Sequence, residues 1–271
     1  SYQWRHLGCP IMGATGSSYT IPSVEMANAG FYDVVVYNGL VPTPSAAGRL
    51  LVKPAVGADT YRLDTSFPPF FEREGGCVNA VVEASSGAIY AGGEFTMIAG
   101  LPQRYLARFN STLAVDTSFR PVLDGQVYAI LPQSDGRVVI GGSFSVVNGV
   151  SRRMIARLNS DGSLDESFAP VFDGSEIRAL AAQSDGKFLV AGSFWNVDGV
   201  ARAYIARLTA DGALDSTFVP DQFNSSVYAL ALQPDGKVLV GGSFSSATVG
   251  NRLTRLNSDG SVDTSFAIGT G

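Results

Sequence analysis

The sequence predicts an all-β protein built as an array of similar units, and three observations carry that prediction. The segment from Val227 to Phe266 recurs upstream from Val78, Val127 and Ile177, at a spacing of about 50 residues. Each unit contains the word GG-x-F or AG-x-F, which ends at Phe95, Phe144, Phe194 and Phe244. A closing word, D-x-[ST]-F, begins at Asp64, Asp116, Asp165, Asp215 and Asp263. Such a period is typical of stacked or radial arrays, whose units cannot bury an apolar face alone.

Each unit predicts short antiparallel strands joined by tight turns. It opens with an apolar strand such as VYAILPQ, followed by an S-D-G or P-D-G turn and a second strand such as KVLVGGSF. Asp-Gly between two apolar runs indicates a hairpin, because glycine adopts the positive φ that the turn needs. The paired glycines at the end of the second strand indicate a bulge or a close backbone approach. A third strand such as MIARLN and another D-G turn lead to a short outer strand such as SLDESF.

Four antiparallel strands per unit, without helical periodicity, are typical of one blade of a β-propeller. A β-solenoid is the competing architecture, although its repeats are usually shorter. We therefore predict a propeller repeat domain with four full repeats over residues 55–271. We expect it to belong to a longer array, with a four-bladed ring as the alternative.

The repeat words also resemble a known family. The strings ALALQPDGKVLVGGSF, IARLNSDGSLD and DTSF are similar to the delta-60 repeat family of bacterial β-propellers, and the resemblance covers residues 62–266. It implies a large exported or surface protein, in which such repeats often stand beside immunoglobulin-like modules. It implies no particular activity, because no common activity comes with the motif.

Residues 1–54 resemble the second half of a bacterial immunoglobulin-like β-sandwich. The YQW string matches the strand that carries the core tryptophan of that fold, here Trp4, and MANAGFYDVVVYN matches the approach to its tyrosine corner, here Tyr32. The predicted strands are Tyr2–Arg5, Tyr19–Ile21, Phe31–Tyr37 and Gly48–Val52.

The segment between the two predicted domains is short and mixed in composition. We expect the linker Val52–Arg62 to hold the domains close together, because it is not a flexible tether. Cys9 and Cys77 are the two cysteines, one in each domain. A disulfide between them is one interpretation, but we favour two independent, small buried residues.

Composition excludes some classes of partner. The chain has 271 residues, of which 16% are charged, with a net charge of −5. This acidic balance argues against nucleic acid, which requires a basic face. No apolar run is long enough to predict a membrane span. The first residues lack the features of a signal peptide, so we expect an export signal upstream of them.

The most repeated charged pair joins an arginine of the third strand to the aspartate of the closing word. Eight residues and one turn separate the two members, so neighbouring strands can bring them together. A residue required in every blade builds the blade, because a catalytic site needs one copy; we predict structural ion pairs. The alternative is a ring of repeated glycan-binding clefts. The arginines are Arg108, Arg157, Arg207 and Arg255, and the aspartates are Asp116, Asp165, Asp215 and Asp263.

The turn words N-S-D-G-S-L-D and N-S-D-G-S-V-D place oxygen ligands at spacings that faintly match a calcium loop. A plain Asp-Gly turn explains the same residues and is the interpretation we favour. The candidate calcium ligands are Asn159, Asp161, Asp165, Asn257, Asp259 and Asp263.

Trp195 and Glu94 are the predicted ligand contacts, because each breaks the register of the repeats. Trp195 stands where other units have Ser145, Ser245 or Thr96, and an exposed indole can stack on a sugar. Glu94 replaces the serine of the GGSF word, and we expect it to face the central channel.

The sequence favours no enzyme class. It has no zinc-protease, nucleophile-elbow, P-loop, CxxC or dinucleotide motif. Its one histidine, His6, lies outside the repeats, so they can hold neither a Ser-His-Asp triad nor a histidine metal site. Glycosidase chemistry needs only two acids. Nothing singles out a pair among Glu72, Glu74, Glu83, Glu94, Glu166 and Glu176.

The sequence thus predicts a non-enzymatic structural or adhesive module of an exported bacterial protein, either secreted or at the cell surface. We expect its partners to be other extracellular proteins or glycans, and no cofactor apart from the calcium alternative. The second hypothesis is a lectin-like propeller. A polysaccharide-degrading enzyme and a self-assembling filament subunit are further alternatives.

Overall fold

The computed structural model of the chain describes residues 1–21, 28, 30–37, 42–45, 48–50, 63–64, 71–72, 77–220, 223–246 and 250–266. Strands and turns account for these residues, and none of the elements they form is an α-helix. The prediction of an all-β fold is confirmed. Over the same ranges, no helix exists that is long and apolar enough to cross a membrane.

The N-terminal segment forms one sheet. Its strands are β1 (Tyr2–His6), β2 (Cys9–Pro10), β3 (Gly30–Tyr37), β4 (Pro42–Pro44), β5 (Gly48–Leu50) and β6 (Leu63–Asp64). The strand order is β2-β1-β3-β5-β6, with β4 paired to β3. Arg5 lies opposite Asp33 in the β1–β3 register, and the two form a buried ion pair.

Two sequence predictions for this region change. Tyr19–Ile21 was predicted as a strand but has no strand pairing, and the closing word at Asp64 begins in β6, which pairs with β5 of the N-terminal sheet. The predicted domain boundary at residue 54 and the whole of the predicted linker Val52–Arg62 lie outside the described residues.

Each of the four repeats forms an antiparallel sheet of three main strands. The first strands are β8 (Val78–Glu83), β13 (Val127–Pro132), β18 (Phe172–Ala182) and β22 (Val227–Leu232). The second strands are β9 (Ile89–Gly93), β14 (Val138–Gly142), β19 (Phe188–Val197) and β23 (Val238–Ser246). The third strands are β12 (Leu106–Phe109), β17 (Ile155–Leu158), β21 (Ile205–Leu208) and β24 (Gly250–Leu256).

Short strands lie in the loops between second and third strands: β10 (Met97–Ile98), β11 (Leu101–Pro102), β15 (Val146–Val147), β16 (Val150–Ser151) and β20 (Val200–Ala201). A further short strand, β7 (Phe71–Glu72), precedes the first repeat and pairs with β10. In each repeat the second strand lies between the first and the third. The first strands of successive repeats lie side by side in the order β8, β13, β18, β22.

The predicted fourth strand is reduced to a single bridge in each repeat. The bridges are Phe109–Val115, Leu158–Leu164, Leu208–Leu214 and Leu256–Val262. The closing word then turns away from the sheet, because its aspartate accepts a backbone N–H two residues ahead, as Asp165 does from Ser167 at 3.1 Å. The described strands do not close into a ring, so the blade number of the array stays a prediction.

The apolar core lies between repeats rather than within them. One cluster joins Leu106 and Phe119 of the first repeat to Val127 and Phe144 of the second, and two further clusters join the second repeat to the third and the third to the fourth. Second strands such as Val138–Gly142 are buried along their whole length, since a neighbouring repeat covers each face. A single repeat would therefore expose both faces.

The fourth repeat shows what a neighbour contributes. Leu253 is 39% exposed, whereas Leu106, Ile155 and Ile205 at the equivalent position are at most 1% exposed. Those three residues are each covered by the following repeat.

The N-terminal sheet takes the place of a preceding repeat against the first one. Leu7 and Phe31 pack on the cluster around Val78, and the Val78 N–H donates to the Leu7 carbonyl at 2.6 Å. The interpretation of Cys9 and Cys77 as independent residues is wrong, because this docking brings them together and they form a disulfide. A cross-link closing a loop of this length contributes about 4 kcal/mol in the chain-entropy account.

The paired glycines at the end of each second strand have different roles. At the second glycine of each pair, a β-carbon would overlap the backbone carbonyl of the residue before the V-x-A or I-x-A string, as Gly242 would with Ser226. At the first glycine the constraint comes from the neighbouring repeat, because a β-carbon at Gly141 would press on Ile177. The third repeat carries Ala191 at that first position.

We predict that two adjacent glycines of the fourth repeat differ in how well they tolerate an added β-carbon. Gly242→Ala should lower the free energy of unfolding by about 3 kcal/mol, because the added carbon overlaps backbone that cannot rotate away. Gly241→Ala should change it by less than about 1 kcal/mol, since its nearest neighbours are 3.8 Å away. Urea unfolding of the two variants measures both, and equal losses would contradict this account.

Candidate functional site

The third-strand arginines and closing-word aspartates lie together in all four repeats. The arginine Nε donates to the aspartate Oδ2 at 2.9, 2.8, 2.8 and 2.7 Å in repeats one to four. The guanidinium carbon also lies 4.5 to 4.9 Å from the ring centre of the phenylalanine that ends the same word. Charge, hydrogen bonding and the aromatic face therefore hold one side chain in place.

The same arginines reach across to the next repeat. Nη1 of Arg108, Arg157 and Arg207 donates to the backbone carbonyls of Ser160, Ala210 and Ser258, at 2.5, 2.5 and 2.6 Å. Each acceptor lies in the D-G turn before the closing word of the following repeat. We call the arginine, its aspartate, its phenylalanine and the next repeat's carbonyl the arginine clasp.

A second cation meets the clasp aspartate in three of the four repeats. Arg137 donates to Asp165 at 3.0 Å. Lys187 and Lys237 occupy the same place against Asp215 and Asp263, at 2.8 and 2.7 Å. These cations all follow the D-G turn that opens the second strand.

This environment fixes the ionisation of the clasp aspartates. Burial alone would raise the pKa of Asp165, but hydrogen bonds from Ser167 and Arg157 outweigh it and lower the pKa to about 2. The pKa of Asp215 is also lowered, because Lys187 and Thr217 outweigh its burial. These groups serve as fixed anions near neutral pH, which suits a structural role.

The candidate calcium loops are built as ordinary turns. Asp161 accepts hydrogen bonds from the backbone and hydroxyl of Ser163, and Asp259 accepts the same pair from Ser261. The carboxylates of Asp165 and Asp263 face arginine and lysine, and Asn159 and Asn257 bond to serine hydroxyls. Each of these side chains already bonds within its turn or to a neighbouring cation, as the interpretation of a plain turn expects, and the calcium alternative stays a prediction. The described residues do not gather three acidic, histidine or cysteine groups at a metal-binding distance.

The two predicted ligand contacts, Trp195 and Glu94, do not line the cavity formed by Asn79, Tyr128, Arg178 and Tyr228. Trp195 is 55% exposed on β19. Glu94 is half-buried, with its backbone N–H bonded to the Cys77 carbonyl. The side chains of Glu72 and Glu74 lie outside the described part of the chain.

One cavity lies where the first strands of the four repeats meet. It has a volume of about 370 Å³ and is lined by Asn79, Tyr128, Arg178 and Tyr228. Each of these is the second residue of its repeat's V-x-A or I-x-A string, so one register position supplies all four. We call this cavity the inner-strand pocket.

Arg178 is the centre of the inner-strand pocket. Its guanidinium carbon lies 4.0 Å from the ring centre of Tyr128, and its Nε donates to Glu176 at 2.7 Å. Burial alone would lower the pKa of Arg178, but the bond to Glu176 outweighs it and raises the pKa. Among the described residues, Glu176 bonds to Nε alone, so the two Nη groups can donate to a ligand.

Serine hydroxyls surround the tyrosines of the pocket. Ser243 lies 3.2 Å from the Tyr228 hydroxyl, and Ser143 lies 3.5 Å from the Tyr128 hydroxyl. These serines occupy the GGSF position that Glu94 takes in the first repeat. Two aromatic rings, a cation and several hydroxyls are the groups that bind a polar ligand with flat faces.

Sequence reasoning missed the inner-strand pocket because it gave weight to what the repeats share. A signal was present: the position between an invariant Val or Ile and an invariant Ala holds Asn79, Tyr128, Arg178 or Tyr228. It could be found only by asking where otherwise similar repeats differ and which differing residues meet.

Comparison with known proteins identifies the repeats. The family model described as a domain of unknown function (DUF5122) β-propeller matches residues 84–119, 133–168, 183–218 and 233–266, which make up more than half of the chain. The clasp residues lie inside these stretches, whereas the four pocket residues lie outside them. No curated protein matches the sequence.

We predict that acid weakens the array through the clasp aspartates. The pKa of Asp165 is about 2 in the folded chain, below the value of about 4 for an unfolded aspartate. Protonation therefore favours unfolding, and the stabilisation is complete above about pH 4 and lost as pH falls towards 2.

The urea midpoint should fall over that pH range, and Asp165→Asn should flatten the fall while lowering the midpoint at neutral pH. A midpoint that falls equally in the variant and the native chain would contradict the role given to this carboxylate.

Proposed function

We propose that this chain, which belongs to the DUF5122 β-propeller family of unknown function, is a non-enzymatic adhesive module of an exported bacterial protein. The inner-strand pocket is its recognition site. One observation carries this proposal: a single register position supplies Asn79, Tyr128, Arg178 and Tyr228 to one cavity, while the residues on either side of it are the same in every repeat apart from a Val–Ile exchange. A structural position repeats its residue, whereas a recognition position is free to vary.

The disulfide supports the exported location. Cys9 and Cys77 are joined across the contact between the N-terminal sheet and the first repeat. Disulfides persist in oxidising compartments and outside the cell, and they are rare in reducing ones. The proposal of a secreted or surface protein therefore rests on a covalent feature as well as on the repeat family.

We also propose that the N-terminal sheet is the C-terminal part of an immunoglobulin-like domain and that the repeats are of the delta-60 type. The Tyr32 hydroxyl donates to the carbonyl of Asn28, four residues upstream, at 2.8 Å. A tyrosine corner makes this bond. The indole N–H of Trp4 donates to Gly16 at 3.0 Å, so the tryptophan has a polar partner and a half-buried ring.

A carbohydrate is the second candidate for the bound partner. Tyr128 and Tyr228 offer aromatic faces for a sugar ring, and Arg178 offers two donors for hydroxyl or carboxylate oxygens. A uronic acid fits this combination better than a neutral sugar, because a guanidinium pairs with a carboxylate in bidentate fashion.

We predict that acidic glycans bind the full chain through the inner-strand pocket. Arg178→Gln should weaken binding at least about tenfold, since charged hydrogen bonds are lost. Tyr128→Ala should weaken it about threefold to tenfold through the lost ring contact. An array of acidic and neutral glycans, read with all variants at equal concentration, measures this.

Trp195→Ala is the matched control, because it removes an exposed aromatic ring outside the pocket. It should bind like the native chain. Binding that Trp195→Ala abolishes and Arg178→Gln leaves intact would contradict the pocket as the recognition site. An array on which no glycan is retained would contradict the carbohydrate candidate.

A further inference from the structure

A second cavity lies between the first and second repeats. It has a volume of about 430 Å³. Ala88, Tyr90 and Asp116 of the first repeat form part of its wall, together with Ser134 and Arg137 of the second. It shares no lining residue with the inner-strand pocket.

This cavity exists because the first repeat lacks a cation that the other three have. Arg137, Lys187 and Lys237 follow the D-G turns of repeats two to four and bond to the clasp aspartates. The equivalent residue of the first repeat is Ala88, which directly precedes β9 as those residues precede β14, β19 and β23. The methyl group of Ala88 cannot reach the aspartate.

One side of the Asp116 carboxylate consequently has no cation beside it among the described residues. Among the described residues, Arg108 is the one cation bonded to it, with both contacts on Oδ2. Asp116 is 23% exposed, whereas Asp165, Asp215 and Asp263 are 11%, 6% and 8% exposed. In the fourth repeat the same oxygen accepts from an arginine and from a lysine, so one carboxylate oxygen accommodates both cations.

The other charges in the wall are already satisfied. Nη1 of Arg108 donates to the Ser160 carbonyl, and its other partners are Asp116 and the Tyr90 side chain. Arg137 bonds to both Asp135 and Asp165. Neither arginine has a free pair of donors for an anion, whereas Asp116 and the unpartnered Oε1 of Gln133 can accept hydrogen bonds from a ligand.

We propose that this cavity binds an organic cation, an alkylammonium or guanidinium group, which takes the position that Lys187 and Lys237 occupy against their aspartates. The cationic head bonds to Oδ2 of Asp116. The apolar stem lies where the lysine stem lies in the other repeats, beside Ala84, Ala88 and the wall containing Tyr90. The source is either a free amine or a lysine or arginine side chain of a polypeptide.

An organic cation fits better than a metal ion. The cavity presents one carboxylate together with neutral hydroxyl and amide groups of Ser85, Ser86, Asn110 and Ser134. Divalent ions require several oxygen ligands and usually more than one carboxylate. Three sites in the same chain already hold ammonium or guanidinium groups in this geometry, at 2.7 to 3.0 Å.

The test titrates the full chain with n-butylammonium and with guanidinium, using n-butanol as the neutral control, and follows binding by NMR chemical shifts. We expect saturable binding of the cations with shifts around Ala88 and Asp116, and none with n-butanol. Ala88→Lys should weaken binding at least about tenfold, because its own ammonium fills the site. It should also raise the thermal midpoint.

Lys187→Ala is the matched variant, since it opens the same position beside Asp215 in the third repeat. It should gain a second binding site, and n-butylammonium should restore part of its lost stability. Ala88→Leu fills the cavity with an uncharged side chain, so it should also block binding. This second variant tests the proposal even if Ala88→Lys does not fold.

Two further arms identify the source of the cation. A lysine-containing peptide that binds at least about tenfold more tightly than n-butylammonium indicates a polypeptide ligand, whereas equal affinity indicates a free amine. The absence of saturable cation binding in the millimolar range, or binding that Ala88→Lys and Ala88→Leu leave unchanged, would overturn the proposal.

Discussion

The arginine clasp is the interaction on which the array depends. In each of the first three repeats a nearly buried guanidinium bonds to its own aspartate, stacks on its own phenylalanine and donates to a backbone carbonyl of the next repeat. A guanidinium can do this because its donors lie in a rigid plane that serves several acceptors at once. Removing one partner would leave a buried charge unsatisfied, which is costly. One arginine in each of these repeats therefore links its own repeat to the next one.

The apolar packing follows the same arrangement. The second and third repeats each pack one face on the preceding repeat and one on the following repeat, and the clusters of buried residues lie at those contacts. The N-terminal sheet covers the first repeat through Leu7 and Phe31, and the disulfide fixes that contact. Because these contacts recur from repeat to repeat, single positions outside them become free to vary. The inner-strand position and Ala88 are two such positions, and both line cavities.

The repeating features could be read from the sequence because their physical causes are local. Asp-Gly turns, alternating apolar strands and the eight-residue spacing of Arg157 and Asp165 need no knowledge of distant contacts. The structure of the closing word was harder to predict from the sequence. Its aspartate accepts a backbone N–H that a fourth strand would need for pairing, so only one bridge of that strand forms. The disulfide was considered but not favoured, because it depends on how the N-terminal sheet docks. Trp195 was favoured for breaking the register, but only the fold reveals that Tyr128, Arg178 and Tyr228 meet.

The most direct measurement compares the loss of unfolding free energy in Arg207→Lys and Arg255→Lys. Both arginines bond to their own aspartate and stack on a phenylalanine, but within the described part of the chain only Arg207 has a bond to the carbonyl of a following repeat. The account predicts a loss of about 2 kcal/mol or more for Arg207→Lys, and a clearly smaller loss for Arg255→Lys. Equal losses would mean that the inter-repeat bond adds nothing and would contradict the clasp as the link between repeats.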